Sequence, residues 1–179
     1  MQKIYISLIK TKSTVSKLIS YIKKDSVTHA AIAVDKDLQT LYGFGRKSDH
    51  NPIISGFRRE NYNDKYFSKF KTLPGFILEK EVTDEQFEKI IGIMDHFNSN
   101  QNDYHYSFKK LFSNAIDKIS DSENGFICSE FVAYVLQESG VINFSLPLSL
   151  IRPQILFKEL IRNRAIAVYR GDIRKYRAV

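Results

Sequence analysis

The sequence predicts an α+β fold in which an antiparallel β-sheet packs against helices. Segments with strand character and segments with helical spacing follow one another in mixed order, without the regular alternation of a parallel α/β sheet. The short polar connection at residues 35–37 separates two apolar segments and predicts a hairpin, whose strands are antiparallel. With 179 residues, 43% of them hydrophobic, one domain over residues 1–179 can bury a sizeable core.

The elements of the N-terminal half are predicted from the spacing of apolar residues. Near-continuous apolar runs indicate buried strands, and apolar residues three and four positions apart indicate one face of a helix. A stretch rich in Asn, Asp and Tyr, with Pro52 and Gly56, predicts a long loop that is a candidate active-site flap. The predicted elements are a strand over 3–9, an amphipathic helix over 12–24, a hairpin with strands over 27–34 and 38–44, and the loop over 49–68.

The elements of the C-terminal half are predicted from capping residues as well. Thr83 and Gln86 form a capping box that begins a helix, Gly140 is suited to end one, and Pro153 is suited to a first helical position. The predicted elements are a strand over 76–82, a helix after Thr83, an aromatic helix over 108–119, a helix from Cys128 to the cap at Gly140, a helix over 153–160, and a strand over 165–169.

Cys128, the single cysteine of the chain, lies at the predicted N-terminus of its helix, directly after a turn that contains Gly125. The positive end of a helix dipole favours a thiolate, which is the nucleophilic form of the side chain. An unpaired cysteine at the buried edge of a helix is also an ordinary small apolar residue. Cys128 alone therefore leaves a catalytic and a structural interpretation open.

His29, at the start of an apolar strand, is the candidate partner of Cys128. A cysteine nucleophile needs an imidazole within hydrogen-bonding reach of its sulfur. The other histidines, His50, His96 and His105, lie in polar stretches and are expected to be solvated. His29 is thus the histidine whose position is fixed by a predicted β-strand.

The segments THAAIAVD around His29 and FICSEFVAYVL around Cys128, in this order, resemble the circularly permuted branch of the NlpC/P60 papain-like superfamily, and within it the YiiX-like group. Further likeness lies at residues 3–9, 42–47, 104–108 and 168–172. The resemblance implies a permuted papain-like fold over residues 1–179, in which the cysteine-bearing helix packs against the sheet.

The resemblance also implies a cysteine hydrolase, an amidase, peptidase or acyl-ester hydrolase. Cys128 would attack the acyl carbon, His29 would take the thiol proton and later protonate the leaving group, and the Cys128 backbone N–H would stabilise the oxyanion. A tyrosine before the cysteine helix often lies at the active site in this superfamily. Tyr104 is the expected catalytic tyrosine and Tyr106 is second in order, with aromatic packing as the alternative role of both.

The residue that orients His29 is the point at which the sequence departs from the family. Members often carry Glu or another polar residue on the strand after the histidine strand. With the hairpin turning at Lys36, the position opposite His29 falls close to Gly43, and no Glu occurs between His29 and Arg59. The candidates are a backbone carbonyl, a water, Gln39, Tyr42 or Asp49. The alternative function is accordingly a catalytically weak relative that binds a ligand or partner in the same cleft. Glu130, two residues after Cys128, is expected to stabilise the first turn of the helix.

The net charge of +7 is spread over many short clusters, which predicts a solvated basic surface. No nucleic-acid-binding module is recognisable, so nucleic acid is not an expected partner. An anionic membrane surface is a candidate partner, and small molecules, peptides and lipids with an acyl group are the candidate substrates. Relatives of lecithin–retinol acyltransferase share the permuted order, so a lipid-directed acyltransferase is a further alternative. No cofactor is expected, and one cysteine with dispersed histidines argues against a metal site.

The expected location is the cytoplasm. A single cysteine excludes an intramolecular disulfide framework and favours a reducing compartment. Residues 1–10 lack the apolar core and cleavage site of a signal peptide, and no segment is long enough to span a membrane. Composition and motifs leave the oligomeric state open.

Overall fold

A computed structural model of the chain describes residues 1–11, 25–47, 55–120 and 124–178. The helix predicted over 12–24 lies outside these residues. The strands are β1 (Gln2–Ile9), β2 (His29–Ala33), β3 (Leu41–Arg46), β4 (Ser55–Glu60), β5 (Pro74–Val82), β6 (His105–Tyr106), β7 (Gly125–Phe126) and β8 (Ile166–Asp172). The helices are α1 (Lys65–Ser68), α2 (Asp84–Ser99), α3 (Phe108–Ala115), α4 (Cys128–Glu138) and α5 (Pro153–Arg162).

Six of these strands form an antiparallel sheet in the order β4-β3-β2-β1-β5-β8. The two short strands β6 and β7 pair with each other in parallel, next to the N-terminus of α4. An α+β class with an antiparallel sheet and helices is therefore confirmed. The β2–β3 hairpin places the His29 strand inside the sheet, with β1 on its other side.

One face of the sheet packs against the helices. Alternate residues of a strand point to opposite faces, so Ile4, Ile6 and Leu8 of β1 all reach the same core. The fully buried Phe131 and Val135 of α4 lie in this core. Because α4 lies against β2 and β3, the helix that carries Cys128 is held directly on the strand that carries His29.

The opposite face of the sheet carries a second, smaller core. Tyr5, Ala31 and Leu41 contribute from the strands, and Tyr62 and Phe67 cover them from the segment after β4. This segment begins at the end of β4, so it lies close to the last residue of that strand, Glu60. Both faces of the histidine strand are consequently shielded from solvent.

The prediction of a loop over 49–68 is wrong for residues 55–68, which contain β4 and α1. Residues 49–54 of the predicted loop lie outside the described residues. Phe57 is the only large apolar residue of β4, so the segment has no strand pattern of its own. Its ring packs against Phe44, Phe97 and Phe131, and six residues of β4 pair with β3, so non-local contacts form this strand.

The capping predictions are confirmed. Thr83 and Gln86 form the capping box of α2, Gly140 has a positive φ of 73° after α4, and Pro153 begins α5. The predicted helix over 108–119 ends earlier, at Ala115, because Asp117 adopts a left-handed conformation with φ of 54°.

Candidate active site

Cys128 is the first residue of α4, and its side chain is buried, with 4% of the residue exposed. A tight turn at Asn124, which has a positive φ of 52°, and the short strand β7 lead into the helix. The N–H groups of a first helical turn have no acceptor within the helix. The Cys128 thiol therefore lies at the end of α4 where backbone donors and the positive end of the helix dipole are found.

Glu130 stabilises the start of α4. Its Oε2 accepts a hydrogen bond from the Ile127 N–H at 3.2 Å. Its Oε1 lies 2.9 Å from the Nζ of Lys110, which also donates to the Gly125 carbonyl at 2.7 Å. This agrees with the helix-stabilising role expected from the sequence. The charge of the Glu130 carboxylate is paired with an ammonium, so it does not act alone on the nearby thiol.

His29 is the first residue of β2, and its ring is held by Glu60, the last residue of β4. The Nε2 of His29 lies 2.9 Å from both carboxylate oxygens of Glu60. The Glu60 side chain is 1% exposed and that of His29 is 14% exposed. With Nε2 engaged by the carboxylate, Nδ1 is the ring nitrogen left to interact with the thiol of Cys128.

The environment of His29 favours its protonated form. Burial by itself lowers the pKa of the imidazole, but the carboxylate of Glu60, followed by Cys128, acts in the opposite direction and raises this pKa to about 10. Both neighbours act through charge and through hydrogen bonding. His29 is therefore an imidazolium near neutral pH, placed between a carboxylate and the thiol.

The partner of His29 is a residue that the sequence analysis missed. Glu60 lies one position after Arg59, on β4, whereas the expected acid was on the strand next to β2 and before Arg59. Gln39 and Tyr42 do not fill this role: the Gln39 side-chain amide donates to the Asp37 carbonyl at 3.4 Å, and Tyr42 stacks on Phe57 at the helix-covered face. Asp49 lies outside the described residues. Glu60 could have been found by predicting β4 as the strand that pairs with β3, but the residues of β4 have no strand pattern.

The register of the hairpin also differs from the expectation. Ile32 pairs with Tyr42 and Ala33 with Leu41, so the turn is centred one position after Lys36. Continuing this register places Gly45, rather than Gly43, opposite His29. Both glycines lie on the face of β3 over which the Glu60 side chain extends.

Tyr104 has partners of its own away from His29 and Cys128. Its hydroxyl lies 3.0 Å from the Nε2 of His96, and its ring stacks on Phe97 with 4.2 Å between centroids. Tyr106 ends β6, where its ring packs against Phe108 at 5.2 Å. The structure thus brings His29 and Cys128 together, while the described contacts of Tyr104 are those of a packed aromatic residue.

Tyr62 is a tyrosine near the site that the sequence analysis did not single out. It is buried, its hydroxyl donates to Ser7 Oγ at 2.8 Å, and its ring meets that of Phe67 edge-on at 4.9 Å. The Phe67 ring in turn lies 6.3 Å from the His29 ring. Burial, followed by the charge of Glu60, raises the pKa of Tyr62 well above its ordinary value. Tyr62 therefore stays neutral and helps to exclude water from one side of the His29–Glu60 pair.

A narrow cleft borders Cys128 on the helix side of the sheet. The Oγ of Ser129 is buried there and has no hydrogen-bond partner among the described residues. The cleft is small, with space for about one water molecule, and its lining is both polar and apolar. Its lining residues are Thr28, Leu111, Asn114, Ile127, Cys128, Ser129, Arg152 and Pro153.

Comparison with known families finds no family model that matches the chain, and comparison with curated proteins finds no match either. Within the described parts of the chain, no three His, Cys, Asp or Glu side chains are grouped so that they could hold a metal ion. None of the described helices has the length and apolar character needed to cross a bilayer. The geometry of Cys128, His29 and Glu60 is consequently the basis on which a function can be assigned.

Proposed function

We propose that the chain is a thiol hydrolase or acyltransferase, on a permuted papain-like scaffold, with Cys128 as nucleophile and His29 as general acid and base. The observation that supports it most is the His29 imidazole shared between the buried carboxylate of Glu60 and the helix-terminal thiol of Cys128. Thiol catalysis requires a cysteine at hydrogen-bonding reach of an imidazole whose orientation a third group controls.

In the proposed reaction, the thiol proton resides on His29, and the Cys128 thiolate attacks an acyl carbon. The new C–S bond forms as the carbonyl electrons move to oxygen, and the Cys128 N–H donates to the resulting oxyanion. When the bond to the leaving nitrogen, oxygen or sulfur breaks, His29 gives that atom its proton. The neutral imidazole then takes a proton from water, the water oxygen attacks the thioester, and the C–S bond breaks to restore the thiolate and the imidazolium.

Glu60 supports this cycle as a positioning residue. A carboxylate on Nε2 fixes the orientation of the ring and stabilises the imidazolium, the role that the aspartate has in a serine hydrolase triad. The case for a catalytically weak relative depended on the absence of an acid near His29. With Glu60 at 2.9 Å, that reason no longer applies.

The substrate class we infer is an amide, ester or thioester, because a thiolate attacks the acyl carbon of each of them. Peptides, small molecules and lipids all contain such groups. We expect the enzyme to act in a reducing compartment such as the cytoplasm, because an unpaired nucleophilic thiol is lost on oxidation.

The test is the rate of Cys128 alkylation by iodoacetamide as a function of pH, in the native chain and in His29→Ala. His96→Ala is the matched control, because His96 contacts Tyr104 and not the thiol. We expect rapid labelling near neutral pH that is lost in His29→Ala and kept in His96→Ala. Slow labelling, with the pH dependence of a free thiol and no effect of His29→Ala, would remove the proposal.

A second experiment tests the acyl chemistry directly. The protein is incubated with p-nitrophenyl acetate, an N-acetyl amino acid amide and a thioester, and the intact mass is measured after acid quenching. An acyl group on the native chain that is absent from Cys128→Ser supports acyl transfer through the thiol. Product release at equal rates from both proteins would contradict it.

A further inference from the structure

Glu60 reaches His29 from two strands away. The sheet order is β4-β3-β2, so β3 lies between the strand of the carboxylate and the strand of the imidazole. Neighbouring strands are about 4.8 Å apart, and the Glu60 side chain must therefore extend over the backbone of β3 to bring its oxygens to 2.9 Å from Nε2. A side chain of β3 directly beneath the carboxylate would stand in its way.

Gly43 is the residue of β3 over which the carboxylate lies. A Cβ atom at this position would be 2.8 Å from Glu60 Oε1, 3.2 Å from its Cδ and 3.3 Å from the Ala30 carbonyl oxygen. The first distance is shorter than real Cβ contacts allow. The third would place the new Cβ against the backbone of β2, the strand that carries His29. Gly43 is outside the set of glycines with positive φ, so the backbone conformation by itself does not require glycine there.

Gly45 provides an internal comparison. It lies two positions further along β3, on the same face. A Cβ at Gly45 would be 3.5 Å from Glu60 Oε1 and 3.9 Å from the Cε1 of His29, which are ordinary van der Waals distances. The steric requirement for glycine is therefore specific to the position beneath the carboxylate.

We propose that Gly43 is a positioning residue of the site, whose missing side chain leaves the space through which Glu60 of β4 binds His29 of β2 across the intervening strand. The inference rests on the proposed function for its effect on catalysis. Gly43 has no acidic side chain of its own, and for that reason it allows the more distant Glu60 to reach His29.

The experiment compares Gly43→Ala with Gly45→Ala, and repeats Gly43→Ala in a Glu60→Ala background. Two quantities are measured: the pH midpoint of the His29 ring, by NMR of histidine labelled with carbon-13, and the alkylation rate of Cys128. We expect Gly43→Ala to lower the pH midpoint of His29 towards that of Glu60→Ala. We also expect it to slow Cys128 alkylation at neutral pH by about tenfold, the factor that corresponds to a pKa shift of one unit. Gly45→Ala should match the native chain, and Gly43→Ala should have no further effect once Glu60 is absent.

A relocated acid is the matched rescue. In Gly43→Asp with Glu60→Ala, the new carboxylate is one bond beyond a Cβ that would lie 2.8 Å from the Glu60 Oε1 position, so it can occupy part of the vacated space. We expect the His29 midpoint to rise again relative to Glu60→Ala. If Gly43→Ala alone does not fold, the double variant with Glu60→Ala should fold, because the closest clash is removed.

Three results would overturn the inference. The first is a pH midpoint of His29 in Gly43→Ala equal to that of the native chain. The second is an equal loss of Cys128 alkylation when Gly43→Ala is introduced into the native chain and into Glu60→Ala. The third is a double variant, Gly43→Ala with Glu60→Ala, that is as unfolded as Gly43→Ala alone. The NMR midpoint needs no substrate, so it reports on the Gly43–Glu60–His29 arrangement even if acyl transfer is not observed. Failure of the inference and failure of the proposed function are thus distinguishable.

Discussion

The charge of Glu60 can be removed with little change of shape by Glu60→Gln. The amide keeps an oxygen that can accept from Nε2 of His29, and the side chain, 1% exposed, remains in the same space. What is lost is a negative charge 2.9 Å from the imidazole. We expect the pKa of His29 to fall as a result.

The size of this fall follows from the distance. Two unit charges at this separation interact by about 6 kcal/mol at an effective dielectric constant near 20, which is an upper limit. Opposite charges within a few ångströms shift pKa values by about 1 to 3 pH units, which corresponds to about 1.4 to 4 kcal/mol. Cys128 also raises the pKa of His29, so Cys128→Ser should lower this pKa as well.

The assay is an NMR pH titration of carbon-13-labelled histidine in the native chain, Glu60→Gln and Cys128→Ser. The signal of His29 is assigned from its loss in His29→Ala, and the signal of His96 serves as the internal control. A fall of less than about half a pH unit in Glu60→Gln would refute the electrostatic account of the site.

Three further predictions concern stability and the tyrosine. Because the pKa of His29 is raised, its contribution to stability is complete below the unfolded pKa of about 6.5 and is lost as pH rises through about 10, with a slope of at most about 1.4 kcal/mol per pH unit. Urea unfolding at several pH values should show this loss in the native chain and not in His29→Gln. Lys110→Met removes the ammonium 2.9 Å from the buried carboxylate of Glu130 and should cost about 3 to 5 kcal/mol, whereas Lys89→Met, which breaks an exposed pair, should cost about 0.5 kcal/mol or less in the same assay. Tyr104→Phe should leave thiol alkylation unchanged and reduce stability by about 1 kcal/mol, and a large fall in alkylation would return this tyrosine to the catalytic site.

The cysteine helix could be predicted because its signals are local. Apolar residues with helical spacing, the turn before Cys128 and the cap at Gly140 all lie within one short segment, and the structure has α4 there. The same holds for the capping box of α2 at Thr83 and Gln86. His29 could be singled out for a similar reason, since a polar imidazole at the start of an apolar strand stands out from its neighbours.

Glu60 could not be found in this way. Its strand, β4, has one large apolar residue, Phe57, and is formed through pairing with β3 and aromatic packing. The partner of an imidazole is chosen by which side chains meet across a sheet, and a one-position change of register changes that choice. The position of Tyr104 depends likewise on packing against Phe97 and on the hydrogen bond to His96.

The sequence by itself determined the α+β class, the capped helices and the choice of Cys128 and His29 as the proposed nucleophile and base. These follow from contacts between residues close in the chain and from the intrinsic properties of the side chains. Only the tertiary structure decided that Glu60, 31 positions after His29, is the carboxylate that contacts the imidazole, and that Gly43 leaves it room. The reason is physical: the reach of a side chain over a neighbouring strand is a property of the assembled sheet, and no local pattern encodes it.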